Sequence, residues 1–296
     1  MLAVGVLAGC GSSSSGDSAS SGQVAAVGAE NEYANVIEQI GGRYVKVSAI
    51  ESNPNTDPHT FEASPSVAQE VGQAKLIVQN GVGYDTYMEK IESASESSGR
   101  KVIDVQKLLG LPESTPNPHL WYKPTTMPAV ARTIAADLAA IQPAHAAYFQ
   151  ANVAAFDATL RPWLAALSKF KSRYPGTAVA TTEPVADYML EAADITNTTP
   201  FSMQADIMNG TDPAPQDVSL EESLFSSHKV KAFVHNQQVT SSLTESFVKD
   251  AKRAGIPVVG VYETMPTPGY DYQSWMMAEI KSIEKAVAEG LSTEKL

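Results

Sequence analysis

Two histidines stand in near-copies of one phrase, Asp57-Pro58-His59 and Asn117-Pro118-His119. An aromatic follows each closely, Phe61 after the first and Trp121-Tyr122 after the second. Proline holds its own φ at about −65° and restricts the residue before it, so each imidazole rides on a stiff piece of chain. A stiffly held imidazole suits a metal site, because ligands must arrive at set distances and angles. The chain has five histidines, and two of them share this setting. Two acids follow runs that read as strands: Glu183 after Ala180-Thr181-Thr182, and Glu263 after Val259-Gly260-Val261-Tyr262. Pro184 and Pro266 stiffen those turns too.

The elements that must position these side chains follow from periodicity. Short β-branched runs alternate with amphipathic stretches, which predicts an α/β fold with mostly parallel sheets. Strands are expected at 45–50, 76–79, 101–105, 178–182, 231–235 and 257–262, and helices at 65–73, 243–254 and 275–288. The longest helical pattern runs from Pro143 to Tyr174 and is closed by Pro175-Gly176, with Pro162 expected to kink or interrupt it. At ~1.5 Å per residue it is long enough to bridge two lobes. The expected organisation is a leader remnant and tether over 1–22, a first lobe over 23–142, a connecting helix over 143–174 and a second lobe over 175–296. Open α/β sheets bind ligands beyond the carboxyl ends of their strands, where Glu183 and Glu263 fall. Two imidazoles from the first half and two carboxylates from the second, converging on the cleft between lobes, would suit one divalent cation.

The chain opens with the apolar run Met1 to Ala8 and then Leu7-Ala8-Gly9-Cys10, ahead of the Ser/Gly-rich stretch Gly11 to Gly22. Small residues before a cysteine resemble a bacterial lipobox, which implies cleavage after Gly9 and acylation of Cys10. The basic segment that usually opens a signal peptide is missing. Cys10 is the only cysteine, so neither a disulfide nor a thiolate ligand is expected in the folded body. Ser/Gly tracts behave as flexible tethers. The expectation is a globular body leashed to the extracytoplasmic face of a bacterial cell membrane, at the cell surface or in the periplasm. No other apolar run approaches the length that spans a bilayer, so the lipid is the one expected membrane contact. A net charge of −12 argues against nucleic acid and mildly favours a cationic partner.

The phrases DPHTFEASPS at His59, NPHLWY at His119, TEPVADYML at Glu183 and VYETMPTPGYDYQSWM at Glu263 carry a resemblance. In that order, from about Glu30 to Leu291, they resemble the cluster A-I metal-binding proteins, the solute receptors of zinc and manganese ABC transporters. The resemblance implies two lobes joined by one rigid helix, with one divalent metal ion bound between them as the transported ligand. Zinc or manganese is the expected ion, with iron as a third option. It also implies a membrane permease with its cytoplasmic ATPase as partner, a monomer, and no enzymatic activity. His59, His119, Glu183 and Glu263 match the ligands, with Asp271 in reserve for the last.

His235 falls near where many relatives place an acid, which makes it an alternative ligand or a neighbour of the metal. Lys123 stands where many relatives carry aspartate, and the His/Asp-rich loop of many zinc receptors is missing. That missing loop and the two acids lean the reading slightly away from a dedicated zinc receptor, since carboxylate suits harder ions. Phe61, Trp121 and Tyr262 are expected as cleft packing, His145 as an exposed residue of the long helix and His228 as a surface loop residue. Two rival readings stay open. In a surface-anchored metal-dependent hydrolase one glutamate would ligate and the other act as base, although no HExxH helix or nucleophile elbow is present. A surface adhesin would need no site at all.

Overall fold

The computed structural model describes residues 22–95 and 97–296, so Cys10 and the tether through residue 21 lie outside the described residues. Strands β1 (Val24–Glu30), β2 (Val45–Glu51), β3 (Leu76–Gln79) and β4 (Lys101–Asp104) form a parallel sheet in the order β2-β1-β3-β4. Helices α1 (Asn31–Gly41), α2 (Pro65–Gln73), α3 (Thr86–Ala94), α4 (Val105–Leu108) and α5 (Thr126–Ile141) accompany it. The long helix α6 (Ala146–Arg173) then leads to a second parallel sheet. Its strands are β5 (Ala178–Thr181), β6 (Thr196–Asn197), β7 (Phe233–Asn236) and β8 (Val258–Val261), in the order β6-β5-β7-β8. Around them run α7 (Asp187–Ala192), α8 (Phe201–Met208), α9 (Pro215–Ser226), α10 (Ser242–Arg253) and α11 (Tyr272–Glu289). The architecture is thus two lobes, each a parallel sheet with its helices, linked by one long helix.

Strand β1 is absent from the sequence reading, and it lies centrally in its sheet, flanked by β2 and β3. Its residues, VAAVGAE, include weak strand formers, so the paired neighbours rather than local propensity hold it extended. The small residues have a use. A Cβ at Gly28 would run into the backbone of Ala34, where α1 turns back over the strand.

Helix α6 continues through Pro162 without interruption, after a single 3-10 turn at Pro143–His145. Its buried residues, Phe149, Val153, Phe156, Leu160, Trp163, Leu167 and Phe170, recur every three or four positions along one face. Burying that face outweighs the roughly 3 kcal/mol that an interior proline costs a helix. Gly176 then turns the chain away with φ +71°.

Helix α11 packs onto α6 and α1 and joins the two lobes. The Tyr272 N–H donates to Asn35 Oδ1 at 3.0 Å. Gln273 Nε2 donates to Gln39 Oε1 and to Thr159 Oγ1, each at 2.7 Å. Asn31 and Met265 exchange two hydrogen bonds, Nδ2 to the carbonyl at 2.8 Å and the N–H to Oδ1 at 3.0 Å. Ile37, Leu160, Trp163, Trp275 and Ile283 belong to one continuous apolar core. A core shared by helices from both lobes permits small rocking and resists wide hinge opening.

Candidate metal centre

The four side chains that match the ligands sit in loops and turns outside the strands and α-helices. His59 lies in a 3-10 turn, Pro58–Thr60, in the loop after β2, where the Asp57 side chain caps its N–H at 2.9 Å. His119 precedes a second such turn, Leu120–Tyr122. Glu183 follows β5 and Glu263 follows β8. His119, Glu183 and Glu263 are buried, while the His59 side chain keeps 24% of its surface exposed.

Three of these meet. Glu263 Oε2 stands 3.2 Å from His59 Nε2 and 3.1 Å from His119 Nε2, and it accepts the Tyr84 hydroxyl at 2.9 Å. One ligand atom from each of His59, His119 and Glu263 falls within 4.8 Å of the others. Tetrahedral zinc with bonds of about 2.0–2.1 Å sets its ligand atoms roughly 3.3 Å apart. The two nitrogen–oxygen separations are close to such edges.

The orientation of His119 is fixed from behind. Asn117 Oδ1 accepts both the His119 backbone N–H at 3.0 Å and a contact from Nδ1 at 2.8 Å. Asn117 Nδ2 donates to the Pro184 carbonyl at 2.7 Å, so the amide oxygen must face the imidazole. Nδ1 therefore carries the proton, and in the neutral ring the Nε2 lone pair points at Glu263. The carboxylate repels a lone pair at that position and attracts a proton on Nε2 or a metal cation between the two atoms. Trp121 packs its ring near-perpendicular to His119, centroids 5.4 Å apart, and closes the inner wall.

Glu183 stands beside the trio and does not join it. Its Oε2 accepts from Asn236 Nδ2 at 2.8 Å, and the same nitrogen donates to Glu263 Oε1 at 2.6 Å. Glu183 Oε1 is buried without a hydrogen-bond partner. Gln238 completes the support: its Oε1 accepts the N–H groups of Glu263 at 2.6 Å and Thr264 at 2.8 Å. Gln238 Nε2 reaches across to the Thr56 carbonyl at 3.0 Å, which fastens the His59 loop to the second lobe.

Charge follows from burial. Burial opposes ionisation of Glu263, but His119 and His59 override it and hold the carboxyl well below the usual range. Loss of hydration depresses His119. Burial pulls His59 the same way, yet the Glu263 carboxylate wins and raises it to about 9. His59, the more exposed ring, therefore carries the positive charge. Burial, with Glu263 adding to it, raises Glu183 well above the carboxylate range. Glu30, Glu32 and Glu51 lie buried at the carboxyl ends of β1 and β2 and the start of α1. Burial raises all three, Glu51 to about 8, so they add little negative charge near the trio below that pH.

The periplasmic family described as zinc-uptake complex component A, ZnuA, matches residues 27–286. The chain belongs to this family. It is 28% identical over 158 residues to the manganese-binding lipoprotein MntA of Bacillus subtilis (strain 168), a stretch that covers 51% of each chain. It is 29% identical over 128 residues to the zinc-binding protein TroA of Treponema pallidum (strain Nichols), covering 41% of each. The chain spans about half the length of the curated relatives it matches. Among solved structures, the SBP FpvC from Pseudomonas aeruginosa in complex with Mn2+ superposes with a TM-score of 0.73 at 20% identity, covering 90% of this chain and 99% of that one. A crystal structure of ZnuA gives 0.70 at 22% identity, covering 90% and 98%. At these identities the likeness is one of fold.

The alternative ligand His235 and the reserve candidate Asp271 lie elsewhere. His235 shares a face of β7 with Phe233, on which its ring stacks at 6.3 Å, and burial lowers it to about 4. Strand alternation turns it away from the trio and turns its neighbour Asn236 toward it. Asp271 caps α11, its Oδ1 accepting the Ser274 N–H at 2.8 Å, and it is exposed. Lys123 places its ammonium 5.6 Å from the Tyr188 ring centroid. Phe61 packs on Tyr87 at 4.7 Å, and the Tyr262 carbonyl accepts the Tyr122 hydroxyl at 2.7 Å. His145 stacks on Tyr44 at 3.8 Å in the turn before α6, and His228 is exposed in the turn after α9. Sequence reasoning missed Tyr84, Asn117, Asn236 and Gln238. Asn117 and Asn236 each sat within a phrase whose histidine drew the attention.

Proposed function

We propose that this chain is an extracytoplasmic receptor that captures one divalent transition-metal ion, zinc or manganese, between its lobes and hands it to an ABC permease. The observation that carries the reading is the convergence of His59 Nε2, His119 Nε2 and a Glu263 oxygen within 4.8 Å of one another. Glu183, buried beside them with Oε1 free, is the fourth ligand in this reading. Membership in the ZnuA family supports transport over catalysis and leaves the hydrolase and adhesin readings without support. One relative is named for manganese and another for zinc, so the names do not choose the ion.

Capture exchanges charge evenly. In this reading the metal-free site holds Glu263 anionic and His59 cationic, while burial favours the neutral forms of His119 and Glu183. An arriving divalent ion displaces one proton from His59 and one from Glu183, and the occupied site stays neutral. A buried site that keeps its net charge avoids the desolvation cost of an unpaired ion. The half-exposed His59 loop, fastened by Gln238 to Thr56, is the part able to open and admit the ion. Release follows when the permease, driven by its cytoplasmic ATPase, spreads the lobes. Acylation of Cys10 would keep a monomeric receptor beside that permease, on the outer face of the membrane.

Equilibrium dialysis with elemental analysis tests the reading. Metal-stripped protein should take up one equivalent of zinc or of manganese, and His119→Ala should lose it.

A further inference from the structure

Asn236 touches both carboxylates of the candidate site through one nitrogen. Nδ2 has two hydrogens: one goes to Glu183 Oε2 at 2.8 Å, the other to Glu263 Oε1 at 2.6 Å. The amide is not free to turn over. Its Oδ1 accepts the Gln238 backbone N–H at 3.0 Å, and its own N–H donates to Thr182 Oγ1 at 3.0 Å. A flip would set the amide oxygen against two carboxyl groups and the amide hydrogens against a backbone N–H. Asn236 is 1% exposed, so no solvent competes for these bonds.

The consequence lies in which oxygens stay available. Asn236 holds Glu263 Oε1 and Glu183 Oε2 away from the imidazoles; Glu263 Oε2, which also accepts the Tyr84 hydroxyl, faces both imidazoles, and Glu183 Oε1 is unpartnered. With the two imidazole nitrogens, that makes one donor atom from each of four side chains. Zinc takes four donors tetrahedrally, whereas manganese favours about six, mostly oxygen. Carboxylates raise the donor count when both their oxygens bind the metal, and here the second oxygen of each is engaged. We propose that Asn236 is a specificity-determining positioning residue that limits Glu183 and Glu263 to one oxygen each and so tilts this site toward four-coordinate zinc and against manganese. This rests on the metal-receptor reading, and it reverses the slight lean drawn from the sequence.

The test compares the full chain with Asn236→Ala and Asn236→Ser, each stripped of metal and then loaded with zinc or manganese alone. Chelator competition gives the ratio of zinc to manganese affinity, and X-ray absorption gives the first-shell donor count. For the unaltered chain, four light donors around zinc are expected. In Asn236→Ala, freed from the clamp, the affinity ratio should fall roughly tenfold or more toward manganese, the scale on which residues behind a metal ligand act. The donor count should rise above four. Asn236→Ser, with one hydrogen to give, should fall between the two. A folded variant with an unchanged ratio and donor count overturns the proposal while leaving the receptor reading intact. Five or six donors around zinc in the unaltered chain overturn it without any variant. An unaltered chain that binds neither ion overturns the receptor reading instead.

Discussion

His119 and Glu263 meet across the cleft with Nε2 and Oε2 3.1 Å apart, both side chains fully buried, one from each lobe. The pair is a seam between lobes, and a cation between its two atoms would fasten that seam.

The seam gives the first expectation. His59→Ala and Glu263→Ala should each weaken zinc and manganese binding at least roughly tenfold, measured by isothermal titration, while the metal-free chain stays folded by circular dichroism. Binding by His59→Ala equal to that of the unaltered chain would mean the site is misplaced.

Asn117→Ala removes the acceptor that sets the His119 tautomer and also the link to the Pro184 carbonyl. Metal affinity should drop ~10–100-fold, the usual effect of losing the partner behind a histidine ligand. Nitrogen NMR of the imidazoles should show His119 as a tautomer mixture in the variant and as the Nδ1–H form in the parent.

Metal affinity should climb with pH. His59 is raised to about 9, so near neutrality it holds a proton that a metal bound there must displace, and in the proposed reading Glu183, whose carboxyl burial also raises, gives up another. Raising the pH toward 9 removes that competition, whereas His119, already lowered, adds none. Calorimetry in buffers of differing ionisation enthalpy at pH 7 should register proton release with each ion bound. Affinity independent of pH between 6.5 and 8.5 would contradict this charge assignment.

Stability should move the other way in the metal-free chain. Burial raises Glu279 to about 8 despite hydrogen bonds from Trp275 at 2.9 Å and Tyr122 at 3.2 Å. The folded state then binds a proton that the unfolded state, near 4.5, has released. Its contribution is fully present below that value and is lost as pH rises through about 8. Urea unfolding at pH 6 and pH 9 should show a decline that Glu279→Gln reduces by on the order of 2 kcal/mol. An identical decline in the variant would show that Glu279 is not its source.

Much of this was legible beforehand, for physical reasons. β3 and the helix at 65–73 announced their bounds by apolar patterning and by Pro65, and both fell as expected at Leu76–Gln79 and Pro65–Gln73. The two-lobed parallel fold followed from the alternation of such runs. Strand β1 was not legible, because an Ala- and Gly-rich strand is specified by its neighbours, and these pair only in three dimensions. Pro162 does not interrupt α6 because the apolar face of that helix outweighs its local cost. At the site, His59 and His119 declared themselves through their prolines. Asn236 did not, since its role depends on which face of β7 meets the other lobe, and His235 beside it was the more conspicuous residue.

The most direct measurement of the central claim is metal stoichiometry. The full chain, stripped by chelator and dialysed against buffered zinc or manganese, should hold one equivalent by elemental analysis. His119→Ala and Glu263→Ala should hold little or none under the same conditions. Less than a tenth of an equivalent of either ion in the unaltered chain would contradict the account.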